Sequence, residues 1–386
     1  MAGFADIYSR SSAKAHMDRK RKTRRERHSQ TSRRRFFVEE TTMKTTAIAL
    51  SRLRLTSRPY LAARLPDFIA LTKPRVMALA VFTALVGLMM APSRLDPLLG
   101  FVAILAIAAG AGAAGVLNMW YDADIDAVMT RTAGRPIPRG TISRLQALAF
   151  GLVLACSAIA VLAFAANFTA AALLAFAIFF YVVVYTMWLK RSTSQNIVIG
   201  GAAGALPPVI GWAAASGEIA IEPLILFLIV FLWTPPHFWA LSLTRADEYA
   251  RAGVPMLPVV AGRSATTGHI LGYSLLVLPV SLLPWAFGFA GEIYGAVAAT
   301  CGAIFVALAA QLRRSRGVNH HEAHRLFAFS ILYLAVLFAA LLAGNANRST
   351  VTLSARANAF GPSQSAFSAV HFQVMRGPSV AITGEV

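Results

Sequence analysis

The sequence predicts an all-α polytopic membrane protein with nine transmembrane helices, its N-terminus cytoplasmic and its C-terminus outside. Of its 386 residues, 57% are hydrophobic and only 14% are charged, which excludes the two or three soluble domains that this length would otherwise suggest. Nine apolar stretches are long enough to cross about 30 Å of hydrocarbon, the first only with help from its flanks. They are Val76–Met90, Leu98–Leu117, Leu145–Ala165, Thr169–Leu189, Ile197–Ala215, Leu224–Leu243, Ile270–Ala290, Tyr294–Leu312 and Leu326–Gly344.

The loops between these spans support the count independently. Basic residues alternate between the two sides, as the positive-inside rule requires, and the loops of one side carry Arg94 alone. We therefore place the basic loops in the cytoplasm. They carry Lys73, Arg75, Arg131, Arg135, Arg139, Arg144, Lys190, Arg191, Arg245, Arg251, Arg263, Arg313, Arg314, Arg316 and Arg325.

The N-terminal arm, residues 1–64, holds most of the excess charge. It contains 17 Lys and Arg against 5 Asp and Glu, out of a formal net charge of +19 for the chain. Because no aromatic residues interleave its basic runs, we expect a disordered arm that sets topology or binds anionic lipid, and not a nucleic-acid partner. Met43 is an alternative start that would leave residues 1–42 untranslated, and an organelle presequence is a further alternative.

An acidic stripe follows directly on the second span. Asn118, Asp122 and Asp126 recur every four residues, so on a continuing helix they share one face and rise about 12 Å. Charged side chains are costly at the bilayer centre, which favours the water interface for this stripe. Since Mg²⁺ prefers oxygen ligands, commonly carboxylates together with substrate phosphates, these three residues are predicted metal ligands. Asp124 would point away from Asp122 and is a weaker candidate.

Arginines follow the acidic stripe. Arg131 and Arg135 are again four residues apart, and guanidinium groups match the oxygen atoms of phosphates. Carboxylates followed by arginines indicate a Mg²⁺–diphosphate site, with Asp122 and Asp126 as catalytic residues. The alternative is a set of solvated loop charges that only fix topology, but it does not account for three aspartates within five residues.

A second acidic loop follows the sixth span. Asp247 and Glu248 come two and three residues after Arg245, and Arg251 precedes a Gly/Pro-rich segment, 253–258. Two acidic loops on one side of the membrane suit two metal ions that share a diphosphate while an allylic carbon–oxygen bond breaks. We therefore predict Asp247 as a catalytic residue, Asp247 and Glu248 as metal ligands, and Arg245 as a diphosphate contact. Taken alone, such an acidic pair is typical of a solvated loop.

Three segments together resemble the UbiA-type intramembrane prenyltransferases. They are residues 118–126 (NMWYDADID), 232–241 (LWTPPHFWAL) and 247–258 (DEYARAGVPMLP), within a resemblance that covers 72–344. It implies nine helices around a central cavity, a Mg²⁺-bound isoprenyl diphosphate at the cytoplasmic end and an acceptor that enters from the lipid side. It also places polar residues such as Lys190 and Arg191 near the diphosphate, whereas Lys73 is either a further contact or a topology signal. The family usually has Asp where this chain has Glu248, so which acid of the second loop binds metal stays open.

The sixth span resembles the branch of this family that prenylates heme. Pro235 and Pro236 remove backbone donors and free carbonyls that must face a cavity or a partner. His237, an ionisable group at membrane depth, would bind the heme iron, orient a propionate or hydrogen-bond a freed carbonyl. The neighbouring aromatic rings would stack on a porphyrin, stabilise a carbocation or simply pack. They are Trp233, Phe238 and Trp239.

The resemblance thus implies transfer of a farnesyl group from farnesyl diphosphate to a vinyl group of heme b, with addition of water, to give heme O and diphosphate. Mg²⁺ is the implied cofactor, heme b is a substrate, and the lipid bilayer is the surroundings. The implied location is the bacterial inner membrane, or alternatively the mitochondrial inner membrane. Heme A synthase or a terminal oxidase assembly would be the partner proteins.

Two other functions stay open from the sequence alone. One is prenyl transfer to an aromatic acid or quinone precursor. The other is secondary transport, although transporters bind substrate near the midplane and here the acids gather at one face. In either case we expect a membrane domain over residues 65–344 and a poorly ordered tail, without assigned function, over 345–386.

Overall fold

The computed structural model describes residues 65–315 and 320–359, with the backbone alone for 345–359. Its described part is helical and contains no β-strand. We number the helices α1 (Leu65–Leu71), α2 (Pro74–Met90), α3 (Pro97–Tyr121), α4 (Ala123–Val128), α5 (Pro136–Arg139), α6 (Arg144–Ala165), α7 (Phe168–Phe179), α8 (Lys190–Ser192), α9 (Asn196–Ala205), α10 (Pro207–Ser216), α11 (Ile221–Leu243), α12 (Ala246–Arg251), α13 (Leu257–Val260), α14 (Gly262–Ala286), α15 (Glu292–Arg314) and α16 (His320–Ala359). A π-helical segment, Phe180–Leu189, joins α7 to α8.

The predicted all-α membrane architecture is confirmed. In the described ranges eight helical stretches are long and apolar enough to cross a membrane, or nine if the bent pair α1–α2 counts as one span. Two of the eight combine neighbouring elements: Phe168–Ser192 runs from α7 to α8, and Asn196–Ser216 comprises α9 and α10. The sidedness of the two termini stays a prediction. The basic arm, residues 1–64, and residues 360–386 of the predicted tail lie outside the described residues.

Capping signals in the sequence set several helix ends. Asp96 precedes α3 and accepts a hydrogen bond from the backbone N–H of Leu98 (2.9 Å). Ser143 and Gln146 form a capping box at the start of α6, in which each side chain bonds the other residue's backbone N–H. Such side-chain bonds satisfy backbone donors that the first helical turn leaves without a partner.

The predicted fifth span is two helices. α9 and α10 meet at Leu206, because Pro207 and Pro208 occupy the first two positions of α10. Proline is favoured there, since it lacks the N–H that the preceding turn would have to bond.

The predicted seventh span lies too far along the chain. The helix begins at Gly262, eight residues before Ile270, and ends at Ala286. Its polar first turns are stable within a helix because Thr266 donates to the carbonyl of Gly262 (2.9 Å) and Thr267 to that of Ser264 (2.9 Å).

α16 continues beyond the last predicted span, which ends at Gly344, as far as Ala359. Its apolar membrane-crossing stretch is His320–Gly344. The poorly ordered tail expected from residue 345 onward stays a prediction.

Two large apolar cores and a small third one fill the bundle. One large core, which includes Leu162 and Ile210, joins α2, α3, α6, α7 and α10. The other large core, which includes Ile229 and Phe338, joins α11, α14, α15 and α16. The small core includes Leu71 of α1 and Ala147 of α6. The outer faces remain apolar, as the 89% exposure of Phe164 illustrates, which is the pattern of helices surrounded by lipid.

The helices α2 and α10 touch through their backbones. A Cβ atom added to Gly87 would lie 2.0 Å from the carbonyl oxygen of Pro208, and one added to Gly211 would lie 1.9 Å from that of Ala84. Only glycine permits this approach, which resembles the small-residue contacts of membrane helices.

Candidate active site

The acidic stripe keeps its helical spacing although α3 ends at Tyr121. The backbone N–H of Asp122 donates to the carbonyl of Asn118 (2.9 Å), and that of Asp126 donates to the carbonyl of Asp122 (2.8 Å). Asn118 also donates from Nδ2 to Oδ2 of Asp122 (2.8 Å). These two side chains therefore share one face, as their spacing predicts. The carboxylates of Asp122, Asp124 and Asp126 are all buried, so each needs a partner.

Two bases from the next loop pair with the first two carboxylates. Lys190 donates from Nζ to Oδ2 of Asp122. Arg191 donates from its two Nη atoms to the two oxygens of Asp124, at 2.9 and 2.8 Å, and its guanidinium carbon lies 4.9 Å from the ring centre of Tyr121. Asp124, which helical geometry directs away from Asp122, is thus the anchor of a bidentate ion pair.

The two arginines after α4 lie in different surroundings. Arg135 precedes α5 and donates to Oδ2 of Asp126 (2.7 Å), with 22% of its side chain exposed. Arg131 is exposed and makes no ion pair with any described residue. Thr132 beside it is buried and donates to the carbonyl of Asp126 (3.0 Å). The structure therefore brings Arg135 to the stripe and leaves Arg131 at its rim.

Lys73 reaches the stripe from the junction of α1 and α2. It is the one non-glycine residue with positive φ (53°) among the described residues, a left-handed conformation that Cβ atoms disfavour. The two helices are bent by 54° at this point. Its Nζ donates to Oδ1 of Asn118 (2.7 Å) and lies within electrostatic range of Asp122 and Asp126. Lys73 is thus gathered with the other bases at the acids.

The π-helical segment positions Lys190. A π-helix of ten residues is rare, and π-helical turns are frequently found at functional sites. Within it the buried Thr186 accepts from Nδ2 of Asn118 (3.1 Å) and donates to the carbonyl of Tyr181 (2.8 Å). Gly200 of α9 makes room for this segment, because a Cβ there would lie 2.2 Å from a ring carbon of Tyr185. A local widening of the helix therefore aims Lys190 at the acids.

The acids of the second loop differ from each other. Asp247 is exposed, whereas Glu248 is largely buried and accepts from Arg245 at 3.3 Å through Oε1. The other carboxylate oxygen of Glu248, Oε2, is buried and has no hydrogen-bond partner among the described residues. Arg251, one turn on, is exposed. Glu248 is therefore the acid of this loop that offers a buried oxygen to a ligand.

The two acidic loops lie side by side. A cavity of about 150 Å³ is lined by residues of α4, by Arg191, and by Ala252 and Gly253 of the second loop. The hydroxyl of Tyr185 lies within electrostatic range of Asp122 and also of Tyr249, which follows Glu248. The loops predicted to act together therefore meet at one end of the bundle, which we call the charged end (residues 73, 121–144, 189–196 and 244–262).

No group of three or more His, Cys, Asp or Glu side chains in the described ranges is arranged to hold a metal ion. The predicted set of Asp122, Asp126 and Asp247 is therefore not assembled, because the first two are held by Lys190 and Arg135 and the third is exposed. The donors nevertheless fit Mg²⁺, since they are carboxylate and amide oxygens and the buried Oε2 of Glu248 lacks a partner.

The predicted acceptor residues divide into two groups. Trp233 and His237 are buried and stacked, with ring centres 4.4 Å apart, and Phe238 packs its ring edge against His237 at 5.0 Å. Trp239 is fully buried on the other side of α11, where its ring meets Tyr273 of α14 at 5.5 Å. Trp239 is therefore not gathered with the other three residues.

His237 does not bond a carbonyl freed by the prolines. Its Nδ1 lies 2.6 Å from Oγ of Ser330 in α16, and its other ring face stacks on Phe327 at 4.7 Å. Sequence reasoning missed Ser330, Phe327 and Thr186. The three-residue spacing of Phe327 and Ser330 puts them on one helix face, but nothing in the sequence pairs that face with α11.

Comparison with known sequences gives one family throughout. The model of the UbiA prenyltransferase family matches residues 80–337. The chain is 60% identical to the protoheme IX farnesyltransferase of Afipia carboxidovorans over 281 residues. The aligned part is 72% of this chain and 90% of the relative. The chain is also 61% identical over 279 residues to the protein of that name from Azorhizobium caulinodans, covering 72% and 91%.

Solved structures share the fold at much lower identity. A structure of digeranylgeranylglyceryl phosphate synthase gives a TM-score of 0.62 at 20% identity and covers 73% of this chain and 98% of its own. A UbiA homologue from Archaeoglobus fulgidus bound to DMAPP and Mg²⁺ gives 0.56 at 17% identity, covering 71% and 99%. At such identities the likeness is one of fold.

Proposed function

Because this chain belongs to the UbiA prenyltransferase family, we propose that it transfers the farnesyl group of farnesyl diphosphate to a vinyl group of heme b, with addition of water, as a heme O synthase does. The observation that carries the proposal is the identity of 60% and 61% to protoheme IX farnesyltransferases over 72% of the chain. The family match includes both acidic loops and His237.

The charged end supplies what a diphosphate needs. When bound by Asn118, Asp122, Asp126 and the second loop, Mg²⁺ would neutralise the diphosphate and the charge that develops on the leaving oxygen. The basic side chains donate to the phosphate oxygens, because ammonium and guanidinium groups both match them. They are Arg135, Lys190, Arg191 and Lys73 beside the acids, with Arg131 and Arg245 at the rim.

The second loop contributes through Glu248 more than through Asp247. Oε2 of Glu248 is buried and has no partner in the part of the chain that the structure describes, whereas Asp247 is exposed. The additional methylene of Glu, compared with the Asp usual in the family, extends the reach of this carboxylate.

The reaction needs no strong base. The bond between C1 of the farnesyl group and its oxygen breaks, and the electron pair leaves with the diphosphate. The vinyl π electrons form the new carbon–carbon bond to C1, which leaves a cation on the carbon attached to the porphyrin. Water adds to this cation and its proton passes to solvent, giving the hydroxyl group of heme O. Trp233 and Phe238 present aromatic rings that attract such a cation.

We also propose that the charged end faces the cytoplasm of a bacterial inner membrane. The alternation of basic loops supports this sidedness. An apolar, membrane-resident product would pass to a heme A synthase or a terminal oxidase assembly in the same bilayer.

A reconstituted assay tests the function. The full chain, in liposomes with Mg²⁺, farnesyl diphosphate and equal amounts of heme b and 4-hydroxybenzoate, is expected to yield a porphyrin whose mass has gained a farnesyl group and a hydroxyl group. Mass spectrometry of both acceptors is the measurement. Prenylated 4-hydroxybenzoate with unchanged heme b would instead establish the quinone-precursor reaction.

A further inference from the structure

A histidine is enclosed by aromatic rings in the apolar part of the bundle. His237 is 8% exposed. Its imidazole lies between Trp233 and Phe327, whose ring centres are 4.4 and 4.7 Å away and whose planes are inclined to it by 19° and 26°. Both faces of the ring are thus covered, and only its edges are open to polar contacts.

Ser330 fixes which ring nitrogen carries the proton. Its hydroxyl donates to the carbonyl of Phe327 (2.6 Å), and a hydroxyl has one proton to donate. With that proton on the carbonyl of Phe327, the oxygen accepts toward His237, and we assign Nδ1, 2.6 Å away, as the protonated nitrogen. Trp233 reinforces the arrangement by donating from Nε1 to the carbonyl of Ser330 (2.8 Å). The lone pair of the neutral ring consequently resides on Nε2.

Nε2 is left without a protein partner. It makes no hydrogen bond with any described residue, and it is not fully enclosed. Most buried polar side-chain atoms have a hydrogen-bond partner, so a nitrogen without one in the apolar part of the bundle needs a reason. An orienting hydrogen bond on one nitrogen and an open lone pair on the other is the arrangement of metal-binding histidines.

The position of His237 suits the substrate of the proposed reaction. It lies six residues before the end of α11, about 9 Å along the helix axis from the loops that carry the acids. A heme held at this depth would therefore be near the charged end, where the diphosphate is proposed to bind.

We propose that Nε2 of His237 is an axial ligand to the iron of the heme substrate and that Ser330 positions its ring. This proposal rests on the proposed function and adds the atom by which the acceptor is held. It assigns Trp233 and Phe327 the role of fixing the ring plane.

Spectroscopic titration of the full-length protein in detergent tests the ligand. Ferric heme b is expected to give a histidine-coordinated spectrum with wild type. His237→Ala should lose this spectrum and raise the Kd for heme at least about tenfold, and added imidazole should restore the spectrum. His269→Ala, which removes a histidine of α14 outside the cluster, should match wild type. Retention of the wild-type spectrum and Kd by His237→Ala would overturn the proposal.

Metal-free protoporphyrin IX separates iron binding from other contacts. Its Kd should be equal for wild type and His237→Ala, because it has no iron to bind. An equal loss of protoporphyrin affinity in the variant would instead show that His237 touches the ring or a propionate, and would refute iron ligation. His237→Met supplies a second variant: its thioether can bind iron, so a shifted spectrum supports the proposal and an unchanged one contradicts it.

The outcomes distinguish this proposal from the function on which it rests. If wild type neither binds nor prenylates heme b, the proposed function fails. If wild type does both and His237→Ala does both equally well, only the iron ligand is wrong. Retained binding of farnesyl diphosphate by each variant shows that the fold and the charged end are intact.

Discussion

The two acidic loops at the charged end solve the problem of a buried carboxylate in different ways. In the first, Asp122, Asp124 and Asp126 are deeply buried and each is neutralised by a base of the chain. In the second, Asp247 is exposed and Glu248 keeps one buried oxygen that has no partner among the described residues. The charges of the first loop are therefore paired within the chain, whereas the second loop presents an acceptor that a cation would satisfy. The comparison indicates that the first loop holds its side chains in a fixed arrangement, and that Glu248 of the second loop gains a partner when a cation binds.

The largest effect is expected from breaking the first loop at its centre. Asp122→Asn should reduce farnesyl transfer by about a thousandfold, because it removes the carboxylate that meets Asn118 and Lys190 and with it several kcal/mol of charge stabilisation. Product mass in liposomes measures the loss. Asp67→Asn, on α1 at the same end, is the matched control and should retain most activity. Near-normal turnover by Asp122→Asn would contradict the role of the stripe.

Removal of a base from the first loop should cost stability. Lys190→Met leaves the 1%-exposed side chain of Asp122 without its lysine, and loss of one partner from a buried pair typically costs about 3–5 kcal/mol. The pair of Arg139 and Asp67 provides the control, because the Arg139 side chain is 52% exposed and Arg139→Met should cost about 1 kcal/mol or less. Thermal unfolding in detergent compares the two variants. Equal destabilisation would mean that the first loop is no more tightly paired than the surface.

The two acids of the second loop should respond unequally. Glu248→Gln is expected to reduce turnover by roughly thirtyfold and to raise the Mg²⁺ concentration needed for half-maximal rate, because it removes the charge from the buried free oxygen. Asp247→Asn, its matched control, should change either quantity by less than about threefold. The Mg²⁺ dependence of turnover is the measurement. A larger effect of Asp247→Asn than of Glu248→Gln would instead support Asp247 as the metal ligand, as the sequence predicted.

The smallest effect is expected at the π-helical segment. Thr186→Val keeps the shape of the side chain but removes the hydroxyl that accepts from Asn118. A lost hydrogen bond of this kind costs about 1 kcal/mol, so turnover should fall roughly fivefold. Thr186→Ser keeps the hydroxyl and should restore most of the rate. Identical rates for the two variants would show that this bond does not orient the stripe.

Periodicity made much of the bundle and of its acids predictable. The four-residue spacing from Asn118 to Asp126 survives in the structure because backbone hydrogen bonds continue across the end of α3. Apolar length alone gave the spans. His237 was noticeable because an ionisable residue within a span is costly and so needs a reason.

Long-range partners were not predictable from a single sequence. Ser330 lies 93 residues from His237, and Thr186 lies 68 residues from Asn118. Local patterns carry no information about which helix faces meet. The same limit explains the second loop, where only the folded chain distinguishes the exposed Asp247 from the buried oxygen of Glu248.

Helix ends were mispredicted where polar side chains form hydrogen bonds to backbone carbonyls of their own helix. Thr266 and Thr267 satisfy their hydroxyls on backbone carbonyls, so a segment that reads as a loop extends α14. The π-helical segment has no sequence signature that hydropathy would detect.

The contact of Gly87 with Pro208 and of Gly211 with Ala84 restricts how the protein can move. Because a backbone carbonyl oxygen of each helix contacts a glycine of the other, α2 and α10 cannot slide or rotate against each other without steric clashes. They form a rigid helix pair within the bundle. A methyl group added at either glycine would meet a backbone carbonyl oxygen and push the two helices apart.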